Sequence, residues 1–257
     1  MRHNRGENAE RGRASAAVVV LAAVALLAAA SGAFAQDPLR AKLEPTGEIR
    51  ILRGDTELAL IDLNAHGPQW THAPQATATA QASDLPDKSG KRFVGTLPIP
   101  NTSGGIIRFT ETVKVIPQGL RLEYDISAAG AVKLNGLQLS VGLAVAQYAG
   151  KQLAIAQYEG DPVILSLPAA EDEKPFSGWS GEGSRVAVGA GTADELVIEL
   201  RAPTDAMVQD LRPWKHPTFE VRFPAIMEDA GRDMTAEDRF HLDLTVTCAA
   251  PLKLEGP

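Results

Sequence analysis

Cysteine is nearly absent from this sequence, in which Cys248 is the only one among 257 residues. A single thiol cannot form an internal disulfide, so the folded chain must depend on an apolar core for its stability. Cys248 has the parity of Leu244 and Val246 in an alternating segment. This position predicts a buried, inert thiol on the apolar face of a strand.

Short catalytic motifs are missing as well. The sequence contains no nucleophile elbow, no phosphate-binding loop, no zinc-binding histidine pair and no cysteine cluster. Their absence excludes the enzyme classes that such motifs identify, and it predicts neither a cofactor nor a bound metal. An all-β enzyme is not excluded, because its catalytic groups come from separated strands and leave no local motif.

Long apolar runs are confined to the N-terminal segment. An apolar run from about Ala16 to Ala30 ends in Ala33-Phe34-Ala35 and follows four arginines, Arg2, Arg5, Arg11 and Arg13. This arrangement is typical of a secretory signal peptide, which we assign to residues 1–35. A membrane anchor is the alternative, but the run is short for a bilayer span and ends in a cleavage pattern. We therefore expect export to the periplasm or the extracellular space, with no membrane span after cleavage.

Positive charge is scarce relative to negative charge. The formal net charge is −7, and removing the four basic and two acidic residues of the N-terminal segment brings it to about −9. A chain with a net negative charge is disfavoured as a partner for nucleic acid or for an anionic lipid surface.

The most regular stretch present is Ile106 to Gly150, which alternates apolar and polar residues with a period of two. It predicts three long consecutive strands of an antiparallel sheet, with a turn at Pro117-Gln118-Gly119 between the first two. In the third strand the apolar residues from Leu137 to Val145 share one parity. Their neighbours from Gln138 to Ala144 lie on the other face.

The remainder of the chain continues the same pattern. Ten to thirteen strands at spacings of roughly 8 to 12 residues predict an all-β fold, an antiparallel β-sandwich or supersandwich. No interior linker divides residues 36–257, which we interpret as one domain. Residues 69–91 are predicted to form a long loop or a weakly paired edge segment. The segments Leu143–Gly150 and Leu153–Gly160 are similar in sequence, and we interpret them as two strands. Thr235–Arg239 is predicted to form a short helix.

Two segments resemble known carbohydrate-active proteins. The run from Val208 to Phe223, VQDLRPWKHPTFEVRF, is similar to β-sandwich accessory domains of secreted bacterial glycoside hydrolases. The strands from Arg108 onward, with GLRLEYDI at their centre, resemble galactose-mutarotase-like supersandwiches. The resemblance implies stacked antiparallel sheets and a carbohydrate ligand. No His and Glu motif matches a mutarotase acid/base pair, so no catalytic residues are carried over.

Candidate sugar-binding residues concentrate between Asp210 and His216. Trp214 could stack on a sugar ring, with Arg212, Asp210 and His216 bonding its hydroxyls. The structural alternative is that Trp214 closes the sandwich edge and Asp210 pairs with Arg212 or Arg222.

Two further tryptophans, Trp70 and Trp179, fall in predicted loops. Exposed aromatic side chains there would suit a ligand surface. A tryptophan in a loop can equally close the end of a β core.

One charged residue breaks the strand pattern. Glu111 shares the parity of Phe109 and Val113, so its carboxyl must be paired or line a cleft, and it is the one weak candidate for a catalytic group. The simpler interpretation places it at a strand end on the sheet rim. On the last strand His241 and Asp243 belong to a polar stripe that we interpret as a solvated face.

The leading functional expectation is a secreted, non-catalytic carbohydrate-binding or accessory protein, with a polysaccharide or oligosaccharide as partner. One alternative is a carbohydrate-active enzyme, a hydrolase, lyase or epimerase with strand-borne carboxylates. Another is a structural or envelope-assembly protein.

Overall fold

The computed structural model describes residues 37–171 and 177–257. The predicted signal peptide, residues 1–35, lies outside the described residues. The described chain is almost entirely β, as the alternating sequence predicts, with sixteen strands rather than ten to thirteen. The strands that the pattern does not single out include β4 and β16, whose four residues each are too few to show a period.

The strand boundaries of the N-terminal half are β1 (Leu39–Leu43), β2 (Ile49–Arg53), β3 (Thr56–Gly67), β4 (Thr71–Pro74), β5 (Thr79–Asp84), β6 (Gly90–Pro98), β7 (Ile106–Ile116) and β8 (Gly119–Ala128). Those of the C-terminal half are β9 (Val132–Ala144), β10 (Gln152–Gln157), β11 (Val163–Ser166), β12 (Ser177–Val188), β13 (Leu196–Asp210), β14 (Thr218–Met234), β15 (Arg239–Cys248) and β16 (Leu252–Glu255). The one α-helix of the described residues is α1 (Val145–Tyr148), and 3₁₀ turns occur at Pro68–Trp70, Gln75–Thr77 and Arg212–Trp214. No helix in the described part of the chain is long and apolar enough to cross a membrane.

The strands form one curled sheet in the order β16-β1-β2-β3-β9-β14-β13-β15-β8-β7-β6-β5. All pairs on this path are antiparallel except β1 with β16, which is parallel. The long strand β13 joins two layers, because its C-terminal half pairs with β14 and its N-terminal half with β15. We call β16-β1-β2-β3-β9-β14 the first layer and β15-β8-β7-β6-β5 the second layer. Strands β10, β11 and β12 form a small branch of the same sheet, which begins where β12 pairs with β13.

One contiguous core lies between these layers. In the first layer the apolar face includes Ile61, Val141 and Val221, which are neighbours in the register of β3, β9 and β14. In the second layer the buried face includes Phe109 and Tyr124. Period-two alternation therefore gives each layer one core face and leaves the other face free for polar residues.

The predicted hairpin is confirmed. Strands β7 and β8 pair antiparallel from Ile107 with Ala128 to Ile116 with Gly119. The third predicted strand does form, as β9, but it does not pair with β8. It crosses to the first layer and lies between β3 and β14, because β15 takes the place beside β8.

Three local predictions need correction. Of the two similar segments only the second is a strand, β10, whereas the first ends β9 and continues as α1. The segment Thr235–Arg239 is a tight turn and not a helix, although Asp238 does accept hydrogen bonds from the Thr235 backbone at 2.7 Å and its hydroxyl at 3.1 Å. Trp179 lies within strand β12 and not in a loop.

Two other predictions agree with the structure. Cys248 is buried and unbonded to another cysteine, and burial raises the pKa of its thiol to about 11, which keeps it protonated and inert. Of the two interpretations of residues 69–91, the structure has the paired one, since β4 lies beside β3 and β5 is the outermost strand of the second layer.

Glu111 is not at the sheet rim. It lies in the middle of β7, fully buried between the layers. Its Oε1 accepts a hydrogen bond from the Tyr124 hydroxyl at 2.8 Å, and its Oε2 accepts one from Gln75 Nε2 at 2.8 Å. Gln75 also accepts from the Leu63 backbone, so the carboxyl ties the second layer to the first. Burial raises the pKa of Glu111 to about 8, and the two hydrogen bonds only partly oppose this rise.

We predict that Glu111 makes the free energy of unfolding depend on pH. A carboxyl with a folded pKa near 8 and an ordinary unfolded pKa holds its proton longer in the folded state. Stability therefore falls as pH rises from about 4.5 to about 8, by up to about 1.4 kcal/mol per pH unit. Glu111→Gln has no titrating group and can still bond both neighbours, with its oxygen accepting from Gln75 and its NH2 group donating to the Tyr124 hydroxyl, so urea unfolding at pH 5, 6.5 and 8 should give a flatter profile.

The control is Glu199→Gln, which removes an exposed glutamate from β13. It should leave the slope unchanged. An unaltered slope in Glu111→Gln would mean that the Glu111 carboxyl is already ionised in the folded protein.

Candidate functional site

A polar face covers the side of β3, β9 and β14 that turns away from the core. We call it the polar face and define it by Asp62, Asn64, His66, Gln138, Ser140, Glu220 and Arg222. The register places Asp62, Ser140 and Arg222 in one row across the three strands, with Asn64 beside Gln138 in the next row. Although these side chains are polar, Gln138 and Ser140 are each only 2% exposed. A buried polar surface must be hydrogen-bonded internally or complete its bonds with a ligand.

Aromatic rings stand at one end of the polar face. Pairing of β3 with β4 sets His66 opposite His72, and their rings stack with centroids 5.2 Å apart. Trp70 meets His66 edge-on at 5.5 Å. Gly136 of β9 makes this possible, because a Cβ there would lie 3.0 Å from His66 Cδ2 and 3.2 Å from the Trp70 ring.

The turn that carries Trp70 has an uncommon backbone. Gln69 and Trp70 both have positive φ, 61° and 58°, a region that non-glycine residues seldom adopt. This conformation directs the indole to Asp229, whose Oδ1 accepts a hydrogen bond from Trp70 Nε1 at 3.2 Å. The ring remains 38% exposed. Strained backbone that presents an accessible aromatic side chain is a feature of ligand sites.

Hydrogen bonds connect the floor of the polar face to this aromatic end. Asn64 Oδ1 lies 2.7 Å from His72 Nε2. Because an amide oxygen only accepts, this contact places a proton on His72 Nε2. Burial lowers the pKa of His72, and the nearby His216 and Arg222 add to the effect while Glu220 opposes it.

His66 is held as a neutral imidazole. Burial, followed by the neighbouring His72, lowers its pKa to about 4. Its Nδ1 is buried and has no hydrogen-bond partner among the described residues. The same holds for Gln138 Oε1, while Gln138 Nε2 makes a long contact of 3.4 Å with Ser140 Oγ. On β3, Asn64 lies directly opposite Gln138, and His66 is two residues further along the same face. His66 and Gln138, which carry the two unpaired atoms, are therefore diagonal neighbours across the strand pair.

The polar face also carries two carboxylates in different states. Glu220 forms an ion pair with Arg222. Asp62 has no such partner in the described part of the chain, and burial raises its pKa to about 7, with a further rise from the nearby Glu220 charge. Two carboxyl groups in such different surroundings, one buried and one ion-paired, can serve as an acid and base pair.

The predicted residues of the 210–216 segment divide into two groups. Arg212 binds Asp210, with Nη2 2.6 Å from Oδ2, and it also donates to the backbone oxygens of Pro168 and Ala170. Its guanidinium lies 5.0 Å from the Phe219 ring. Asp210 and Arg212 therefore form the ion pair that the structural alternative predicts. This ion pair anchors the 168–170 connection.

Trp214 and His216 remain accessible. The Trp214 side chain is 49% exposed, so it does not plug the sandwich edge. His216 is exposed and lies close enough to His72 to influence its pKa. The loop between β13 and β14 thus brings His216 to the polar face, in the same part of the molecule as Trp70.

Trp179 and Glu111 lie away from the polar face. Trp179 pairs in register with Val208, a residue of the core face, and its ring lies over Gly181 and Gly183. It is half-buried, and its Nε1 donates to Gln157 at 3.3 Å. Glu111 is enclosed between the layers.

Sequence reasoning missed most of the polar face. Asp62, Asn64 and His66 occur at every second position of β3, which is a signal that the alternation itself contains. Gln138 and Ser140 were recognised as the non-apolar side of their strand but not as site residues. Their importance depends on β9 lying between β3 and β14, and no local pattern shows that pairing.

Neither the protein-family models nor the curated proteins contain a match to this sequence. Solved structures do match its fold. A candidate aldose 1-epimerase from Escherichia coli superposes with a TM-score of 0.52 at 9% identity, covering 82% of this chain and 99% of that one. A galactose mutarotase-like protein from Lactobacillus casei gives a TM-score of 0.52 at 12% identity, over 82% of this chain and 98% of that one.

A protein from Synechocystis sp. also matches, with a TM-score of 0.51 at 8% identity over 79% of this chain and 89% of that one. Identities this low show a shared fold, and a fold does not fix a function. The expected galactose-mutarotase-like supersandwich architecture is confirmed.

The unpaired Gln138 Oε1 leads to a prediction about stability. Gln138→Leu removes a buried acceptor that lacks a partner, so it should leave the melting temperature unchanged or raise it. Asn135→Leu is the matched control on the same strand, because Asn135 Nδ2 donates to the backbone oxygens of Glu228 and Asp229 at 2.9 and 2.7 Å. That variant should be destabilised by about 1 to 3 kcal/mol.

Thermal and urea unfolding of both variants measure the difference. Equal destabilisation by the two substitutions would mean that the Gln138 amide already has a hydrogen-bond partner in solution.

Proposed function

We propose that this protein is exported and binds a neutral saccharide on the polar face. The observation that carries the proposal is the pair of buried polar atoms without a hydrogen-bond partner, His66 Nδ1 and Gln138 Oε1, on one sheet face beside exposed aromatic rings. Saccharides present hydroxyl donors next to an apolar ring face, which is the chemical complement of this surface.

The architecture agrees with this ligand class. The similar structures include a candidate aldose 1-epimerase and a galactose mutarotase-like protein. Under the proposal, Trp70 and His216 border the bound sugar, while Trp214 extends the contact along the exposed loop. Asp210 and Arg212 hold that loop in place and do not contact the ligand.

The finer role that we propose is non-catalytic. A protein of this kind would act outside the cytoplasm as an accessory sandwich that holds a glycan for a partner enzyme. The resemblance of the 208–223 segment to glycoside hydrolase accessory domains supports this role.

Calorimetric titration of residues 36–257 with galactose, glucose and neutral oligosaccharides tests the binding proposal. Gln138→Leu should weaken binding at least tenfold, because a sugar hydroxyl loses its buried acceptor. Trp214→Ala should weaken binding to an oligosaccharide or retention on insoluble polysaccharide, and its melting temperature should change by only a few degrees.

Tyr158→Ala is the control, since Tyr158 is an aromatic residue with 59% exposure on the short loop between β10 and β11. It should bind as the unaltered protein does. Unchanged binding in Gln138→Leu, or equal losses in Trp214→Ala and Tyr158→Ala, would contradict a site on the polar face.

A second candidate function is the interconversion of sugar anomers. The observation that favours it is the Asp62 carboxyl, whose pKa near 7 leaves it partly protonated at neutral pH beside the ion-paired Glu220. Ring opening needs one group to remove the proton of the anomeric hydroxyl and another to donate a proton to the ring oxygen. Under this function Asp62 donates the proton to the ring oxygen, and the Glu220 carboxylate beside Arg222 accepts the hydroxyl proton.

Polarimetry decides between the two functions. If the protein is an epimerase, it accelerates the mutarotation of α-galactose or α-glucose beyond the buffer rate, and Asp62→Asn removes the acceleration while sugar binding persists. The rate should then depend on a group that titrates near pH 7. No acceleration at saturating sugar would leave the non-catalytic role.

A further inference from the structure

A groove of about 630 Å³ crosses the outer face of the second layer. Strands β5, β6, β7, β8 and β15 each contribute three consecutive residues. The middle residues form one register row from Ala80 through Gly95, Phe109 and Ile126 to Phe240. Phe109 and Ile126 point into the core, so the residues on either side of this row point outward and form two walls. We call this feature the transverse groove.

The transverse groove is long and separate from the polar face. It spans four strand spacings, roughly 19 Å, which is enough for several linked sugar rings. The polar face belongs to the first layer, whereas the transverse groove lies on the solvent side of the second layer. The residues that define the polar face and those that line the transverse groove therefore have no member in common.

The charges of the groove are unevenly placed. One wall carries Arg108 and Arg239 on either side of Ser127, two strand spacings or about 10 Å apart. The other wall carries Asp125 and His241, whose Oδ1 and Nδ1 atoms are 2.8 Å apart.

Neither arginine forms an ion pair with a carboxylate among the described residues. In the described part of the chain no carboxylate pairs with Arg108. Arg239 donates to the backbone oxygens of Ala236 and Asp238, the latter at 3.2 Å, and to no carboxylate that the structure describes. In a chain of net charge −7, one wall thus carries two guanidinium groups that no described carboxylate ion-pairs, although the Glu237 charge lies near enough to Arg239 to interact with it. Such a pair suits an extended ligand with repeated anionic groups on one side.

We propose that the transverse groove binds a linear acidic oligosaccharide, with its carboxylates toward Arg108 and Arg239. The backbone groups of the floor are already paired within the sheet, so a peptide crossing the strands would leave its own N–H and C=O groups without backbone partners. Sugar hydroxyls need only side-chain partners, and the walls supply them from Thr79, Gln81, Thr96 and Thr110.

Calorimetric titration with an oligomer of four galacturonate residues tests the proposal, with its methyl ester as the neutral comparison. The acid should bind at least tenfold more tightly than the ester. Arg108→Gln should weaken binding of the acid about tenfold, and the double variant with Arg239→Gln should lose detectable binding. Arg185→Gln, an exposed arginine of β12, is the matched control and should bind normally.

The results of these titrations can be distinguished from those of the neutral-sugar titrations that test the polar face. Gln138→Leu should leave binding of the galacturonate oligomer unchanged even where it abolishes binding of a neutral sugar. Equal affinity for acid and ester, an equal loss in Arg185→Gln, or no binding of the acid would overturn the proposal. Tighter binding of a hexaglutamate peptide than of the galacturonate oligomer would show that the groove is a peptide site instead.

Discussion

The pairing of β9 between β3 and β14 is the constraint on which the rest of the structure depends. Because both edges of β9 are hydrogen-bonded and both faces are covered, its alternating side chains must satisfy two environments at once. The odd-numbered residues from Leu137 to Leu143 complete the core. The even-numbered Gln138 and Ser140 lie on the opposite face among polar neighbours. A shift of one residue in register would exchange the two sets and remove core and polar face together.

The polar side chains near the centre of the fold differ in how fully they are satisfied. The Glu111 carboxyl has a hydrogen-bond donor for each of its two oxygens, so its burial leaves neither oxygen without a partner. The consequence of its burial is instead that the carboxyl retains its proton near neutral pH. Gln138 and His66 keep unpaired atoms at comparable depth. An unmade hydrogen bond of this kind costs about 1 to 3 kcal/mol, which a ligand with suitable donors would recover. The contrast separates a polar group that holds the layers together from polar groups whose hydrogen bonding the described residues leave incomplete.

The sequence predicts the fold class well because period-two alternation is local. Leu122, Tyr124 and Ile126 are buried as their parity requires, and the turn at Pro117-Gln118 joins β7 to β8. The neighbours of β9 could not be predicted, since every strand of this chain offers a similar apolar face. The same limit applies to the candidate site. Trp214 and Trp70 are conspicuous as residue types, whereas Asp62 and Gln138 acquire meaning only when distant strands meet.

The parallel pairing of β1 with β16 affects the order in which the molecule can be completed. Leu39 and Leu252 are register partners, so the outer edge of the first layer is closed by the last strand of the chain. Synthesis begins at the other end, so β1 can pair with β2 early, whereas the outer edge of β1 must wait for nearly all of the remaining chain. Contacts between residues so far apart in sequence form slowly. The outer edge of β1 therefore stays unpaired until β16 has been made, so the nascent chain carries an exposed strand edge for most of its synthesis.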